Sequence, residues 1–192
     1  MTSEVRLRHS KDADLYASTS DFCRVFKEDM ENLYLLALLL TADSEKAEQC
    51  FVSGLENCTD GNPVFKEWAR SWARRTVIKS AIRVMAPEPT STNGIPSQFA
   101  SRDLIQPELR AEISVLLDLQ PFERFAFVMS VLEGYTAPDC ATLLNCARQD
   151  VAAARTRALR GLAASRISPA PPVEAVGAVF RQERSLSLEG AA

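Results

Sequence analysis

From Leu116 to Leu162 the chain reads LLDLQPFERFAFVMSVLEGYTAPDCATLLNCARQDVAAARTRALRGL. Phe122, Phe125, Ala126, Val128, Met129 and Leu132 recur at helical spacing. Gly134 ends that helix, because glycine accepts the left-handed backbone of a helix C-terminus. Thr136-Ala137-Pro138-Asp139 restarts one, with Thr as cap, Pro in the first turn and Asp three positions on. Cys140, Ala141, Leu143 and Leu144 give it a buried face. Asn145 then stands where a positive φ is needed, and the next helix is expected from about Arg148 to Ala164. Val151, Ala154, Ala158 and Leu162 form its inward stripe. Two helices split by a tight corner have the layout of a helix-turn-helix, a device that sets one helix in a DNA major groove. The plainer alternative is a three-helix packing unit with a solvated basic face.

Elsewhere the periodicity is also helical. Asp21 to about Thr41 carries a broad apolar face of Phe22, Val25, Phe26, Met30, Leu33, Leu36, Ala37 and Leu40. Ser44 is placed to cap a second helix with Ala47, Cys50, Phe51, Gly54 and Leu55 inward. Thr59 to Pro63 is turn chemistry, and a third helix is expected from about Pro63 to Met85, with Phe65, Trp68 and Trp72 among its buried and half-buried positions. Residues Ala86 to Pro107 hold four prolines among small polar residues, a composition that favours an extended, flexible connection. The expected organisation is therefore an all-α chain of two small helical domains, 21–85 and 108–166, joined by a linker at 86–107 and followed by a tail at 167–192. A helix from Glu108 to Asp118 leads into the second domain, and a short one is expected around Val173 to Glu183. Residues Met1 to Ser20 read as a polar, frayed lead.

Charge is segregated along a chain whose net charge is -3. Eight acidic residues against one Lys between Glu28 and Asp60 leave -7. Six basic residues against Glu67 between Lys66 and Arg83 leave +5. Five Arg against Asp150 between Arg148 and Arg166 leave +4. Such blocks suit docking to surfaces of opposite sign. The basic block also holds Trp68 and Trp72, which suit either stacking on unpaired bases or ordinary core packing at i,i+4 spacing.

Other function classes find little support. The five Cys form no Cys-x-x-Cys pair and His9 stands apart from them, so no zinc cluster is evident. Reduced thiols used as small apolar fillers are the expectation, with a redox sensor the unsupported alternative. No nucleophile elbow or Gly-rich phosphate loop appears, so neither an enzyme nor a cofactor is expected. The longest apolar run, Leu33 to Leu40, is too short to cross a bilayer, and no signal-peptide core stands at the N-terminus. A cytoplasmic protein without membrane insertion is expected.

Two segments together resemble the small bacterial sigma factors of the extracytoplasmic-function type. LYLLALLLTADSEKAEQCF resembles the family's opening helix, its break and the start of the acidic helix that grips the polymerase clamp. Phe65, Trp68, Ala73-Arg74, Ile78 and Arg83 resemble the helix that reads and melts the minus-ten element. The stretch from Leu116 to Val151, followed by Arg157-Ala158, resembles the domain that reads the minus-thirty-five element. The likeness spans about Asp21 to Ala164 and rests on the order of the modules, since no single motif is sharp. Glu48-Gln49 replaces part of an acidic run, Arg75 and Lys79 stand for the usual Asn and Asp, and Ala147 and Asp150 stand for Ser and Thr.

The resemblance implies a non-enzymatic protein that directs RNA polymerase core to promoter DNA. It implies that Glu45, Glu48 and Gln49 dock on polymerase. Arg70, Arg74, Arg75, Lys79 and Arg83 would follow the promoter backbone, with Trp68 or Trp72 near melted bases. Arg148, Arg155 and Arg157 would contact the upstream element. An anti-sigma factor is a further partner that the resemblance admits. Two rivals stay open: a dimeric helix-turn-helix regulator, and a sigma-like scaffold that binds a protein partner without full sigma activity.

Overall fold

The structure, a computed structural model, describes residues 15–60, 63–89 and 113–167. It is all-α, and no strand occurs among the described residues beyond one isolated bridge between Tyr16 and Phe65. Most of the expected linker, the start of the Glu108 helix, the tail helix and His9 lie outside the described residues.

Helix α1 (Thr19–Glu28) begins earlier than the apolar pattern suggests, because Ser18 and Asp21 form a complete capping box. The Ser18 Oγ accepts from the Asp21 N–H at 3.2 Å, and the Ser18 N–H donates to the Asp21 carboxylate at 3.0 Å. The Ser18 backbone N–H bond, more than any other contact, holds the Asp21 carboxyl below its usual pKa. The single helix expected from Asp21 to Thr41 is broken at Asp29, and α2 (Met30–Thr41) follows. Asp favours helix ends over interiors, and the Asp29 carboxylate is drawn out to Arg70 at 3.1 Å. Helix α2 is apolar nearly all round and is correspondingly buried, with Leu33, Leu36, Ala37, Leu38 and Leu40 in the core.

Helix α3 (Ser44–Thr59) is capped by Asp43, one residue before the expected Ser44; the Asp43 carboxylate accepts from the Lys46 N–H at 3.0 Å. A 3-10 turn (Lys66–Trp68) then leads into α4 (Ala69–Met85). Small residues let α3 and α4 approach closely. A Cβ on Gly54 would lie 2.8 Å from the Val77 Cγ2, nearer than side chains tolerate. Ala69, Ala73, Val77, Ile78 and Ala81 line the α4 side of the core.

After a helical turn at 113–117, α5 (Pro121–Phe127) continues without a break into a π-helical segment (Val128–Leu132). Gly134 sits at φ +70°, in the left-handed backbone that its place in the sequence required. Thr136 caps α6 (Ala137–Leu144), and its Oγ1 accepts from the Asp139 N–H at 3.3 Å. Asn145 turns the corner at φ 51°, and α7 (Arg148–Ile167) follows.

The two helix groups pack on each other: α2 lies against α5, and α4 touches α6. One continuous buried cluster joins Leu33, Leu40 and Val77 to Phe122, Phe125 and Val151. At its centre lies Arg124, only 4% exposed. Its guanidinium donates to the Leu117 and Leu119 carbonyls at 2.9 and 3.0 Å within its own group. It also donates to the Leu40 and Thr41 carbonyls at 3.1 and 3.3 Å, at the C-terminus of α2 in the other group. Those carbonyls belong to a last helical turn that has no intrahelical donors for them, and a cation there also complements the helix dipole. Burial lowers the Arg124 pKa to about 10, which still leaves it charged at neutral pH.

Candidate nucleic-acid interface

Helix α7 carries the more open set of cations. Val151, Ala154 and Ala158 are buried at i, i+3 and i+7, so the helix sits on α5 and α6 by one narrow stripe. Arg148, Arg155, Arg157 and Arg160 are all exposed. Arg157 donates to the Glu123 carboxylate at 2.6 Å. Arg148, Arg155 and Arg160 have no ion-pair partner among the described residues. Asp150 is turned to the helix start, where it accepts from the Ala147 N–H at 3.1 Å. It thus satisfies one of the free N–H groups there, forming the half of a capping box that does not need a side-chain acceptor at Ala147.

At the junction of α6 and α7, Pro138, Ala141, Thr142, Asn145, Cys146, Ala147 and Arg148 line an open hollow. The left-handed Asn145 corner sets the two helices around it.

Helix α4 holds its cations differently. Arg70 donates to the Glu28 carboxylate at 2.7 Å and to Asp29 at 3.1 Å. Arg74 donates from Nε to the Glu133 Oε2 at 2.7 Å, and its Nη2 donates to the Glu133 Oε1. That pair spans the two helix groups, and the hydrogen bonds from Arg74 to Glu133 raise the Arg74 pKa further. Burial raises the Tyr135 pKa, and the positive charge of nearby Arg75 opposes that rise. The Lys79 ammonium lies 5.6 Å from the Trp72 ring centre, within cation–π range. Lys79 and Arg83 are exposed.

The two tryptophans part company. Trp72 is half-buried against the core, with its Nε1 enclosed and without an acceptor among the described residues. Trp68 is 56% exposed, which removes it from the buried set in which helical spacing had placed it. It belongs to an exposed aromatic row. Tyr16 stacks on Phe65 with ring centres 4.9 Å apart, and Phe65 meets Trp68 edge-on at 5.3 Å. Backbone bonds between 15–17 and 64–66 hold the row in place: the Ala17 N–H donates to the Val64 carbonyl at 2.7 Å, and the Lys66 N–H to the Leu15 carbonyl at 2.9 Å. Tyr16 was missed in the sequence because it falls in the polar lead, where a lone aromatic gives no periodic signal.

Glu45, Glu48 and Gln49 lie exposed on α3, each one helical turn or less from the next. No hydrogen bond or ion pair ties them down among the described residues. No group of three or more potential metal ligands occurs among the described residues. No helix among them is long and apolar enough to cross a membrane.

No known protein family and no curated protein matches the chain. Among solved structures, the complex of the sigma factor RpoE with the anti-sigma factor NepR from Bartonella quintana contains a similar chain. The match covers 78% of this chain and 99% of that one, at 21% identity and a TM-score of 0.46. A likeness of that degree assigns no function.

Proposed function

We propose that this chain is a sigma-like transcription protein that brings RNA polymerase core to promoter DNA. The observation that carries the reading is the exposed arginine face of α7, presented directly after a Thr-capped helix and a left-handed Asn145 corner. That is the arrangement in which a second helix enters a major groove and arginines meet phosphates and base edges. The order of segments in the sequence supports the same reading. Its acidic helix α3 offers Glu45, Glu48 and Gln49 to a basic polymerase surface. Helix α4 offers Arg70, Arg74, Arg75, Lys79 and Arg83 to the DNA backbone. Trp68, in an exposed aromatic row beside those cations, suits stacking on an unpaired base better than the half-buried Trp72 does.

Fluorescence anisotropy on promoter fragments, with and without purified core polymerase, tests the proposal. The isolated chain should bind weakly, since its net charge is -3 and phosphate contacts dominate such affinities. Adding core should tighten binding markedly and yield transcripts from a genomic promoter library. Strong polymerase-independent binding to a palindrome would replace this reading with that of a dimeric regulator. Core polymerase captured without any gain in DNA binding would point to the scaffold role.

A further inference from the structure

Helix α7 turns a largely uncharged line outward. Val151, Ala154 and Ala158 fix its inward stripe. At about 100° per residue, the line opposite that stripe runs through Gln149, Ala153 and Thr156 and reaches a charge only at Arg160. All four residues are exposed. Arg148 and Arg155 lie on one flank of the line, and Arg157 lies on the other. A helix seated in a major groove sets its flanks against the phosphate walls and its outer line against the base edges. The cations near the start of α7 are therefore placed for phosphates, and the base edges are left to neutral side chains.

The chemistry on that line is narrow. The Gln149 side chain stands exposed in the first turn and makes no hydrogen bond among the described residues. Its amide offers a donor and an acceptor side by side, the match for N7 and N6 of adenine. The Thr156 hydroxyl donates to the Ala152 carbonyl at 2.9 Å. Its proton is used within the helix, and its methyl is left for apolar contact. Ala153, between Gln149 and Thr156 on the line, also ends in a methyl. Such groups suit the C5-methyl of thymine. Readers of the other base pair are out of place. Guanine is read chiefly by Arg or Lys, and neither stands on the outer line before Arg160. Cytosine is read by a carboxylate, and Asp150, the one acid in Arg148–Ile167, is turned back to the Ala147 N–H at 3.1 Å.

We infer that α7 selects A·T pairs: Gln149 takes the edge of an adenine, and the methyls of Ala153 and Thr156 take thymine methyls on neighbouring pairs. The inference rests on the sigma-like reading. It adds the class of sequence that α7 prefers and makes Gln149 the residue that determines it.

The test uses the full chain with core polymerase and a pool of randomised DNA duplexes, with the bound fraction sequenced. The adenine assigned to α7 is the one whose preference changes with the side chain at position 149. In the natural chain, replacing that adenine by guanine should weaken binding about tenfold. Gln149→Ala should reduce the preference to about twofold or less and leave preferences elsewhere intact. Gln149→Arg should move it to guanine at the same position. Uracil in place of the neighbouring thymines removes only the methyls and should weaken binding roughly threefold. Gln149 is exposed, so both variants should melt as the natural chain does.

Identical base preferences for the natural chain and Gln149→Ala would overturn the inference and leave the sigma-like reading standing. If the chain and core polymerase together enrich no sequence, the sigma-like reading fails with it.

Discussion

Helix α4 carries Arg70, Arg74, Arg75, Lys79 and Arg83, while α7 carries Arg148, Arg155, Arg157 and Arg160. In α4 two of the four arginines are ion-paired: Arg70 with Glu28 and Asp29 at the surface, and Arg74 with Glu133. In α7 only Arg157 is paired among the described residues, with Glu123. The difference follows from where each helix sits. α4 is packed by α1, α2 and α3 and also touches α6, so Arg70 and Arg74 lie within reach of carboxylates on neighbouring elements. α7 rests on α5 and α6 by its alanine-rich stripe, and the rest of its surface is open. Two stretches of like composition thus offer unlike surfaces. Charge count along a sequence gives the potential of a helix to meet polyanions, and packing decides how much of it is available.

The largest expected effect tests whether the contact between the helix groups is a true interior. Arg124→Met would leave the Leu40, Thr41, Leu117 and Leu119 carbonyls without this donor. Unsatisfied buried groups cost roughly 1–3 kcal/mol each, so a loss of about 3 kcal/mol or more is expected. The urea midpoint of the full chain measures it. A loss below about 1 kcal/mol would show the α2–α5 contact to be loose in solution.

A pH experiment asks whether the two groups unfold together. Cys50 in α3 and Cys140 in α6 are fully buried, and burial pushes both thiols up to about 11. In the unfolded chain a thiol ionises near 9.0, its ordinary value. Between those values the unfolded state therefore holds fewer thiol protons than the folded one, and the stability these two thiols contribute falls as pH rises from about 9 to about 11. Each thiol should account for about 2 kcal/mol at the top of that window. Cys50→Ala and Cys140→Ala should each flatten the fall. If one melting transition responds to both, the groups form one cooperative unit. If each substitution moves a separate transition, the groups are independent and the contact between them is weak.

Much of the second group was legible in the sequence, because its turning points use residues with few alternative roles. Gly134 and Asn145 take the positive φ that their positions demanded, and Thr136 caps as expected. The first group was blurred where a polar residue interrupts or precedes an apolar run. The Ser18–Asp21 capping box lies in a polar lead, and the Asp29 at the break pairs with Arg70, distant in sequence. Arg124 gave a signal that helical spacing alone does not interpret, a cation flanked by Phe122, Phe125 and Ala126. Its acceptors in the other group belong to α2, far along the chain, so no local pattern reveals them. The pairing of Arg74 with Glu133 was hidden for the same reason and also needs the π-helical turn, which no composition announces.

A smaller effect sharpens the contrast of the two basic helices directly. Arg74→Ala leaves the sealed Glu133 carboxylate without its partner. Arg74 itself is 37% exposed, so water moderates the loss to about 1–2 kcal/mol. Arg155→Ala removes an exposed side chain with no ion-pair partner among the described residues, and stability should stay within about 0.5 kcal/mol. Equal losses in thermal melts would mean that α7 is tied down as firmly as α4.

The smallest effect on stability carries the most weight for function. Arg148→Ala and Arg155→Ala should leave the fold alone and act only through DNA. Each phosphate contact removed should lower the slope of log affinity against log salt by about 0.9. With core polymerase present, the double variant should therefore lose salt sensitivity by about twice the single step. Arg160, about four turns beyond the corner, lies farther from where a groove-bound helix reaches bases, so Arg160→Ala should change the slope less. Unaltered slopes for Arg148 and Arg155 would mean that the open face of α7 meets something other than a phosphate backbone. The sigma-like reading would then have to rest on α4 alone, the helix whose arginines are the more fully engaged.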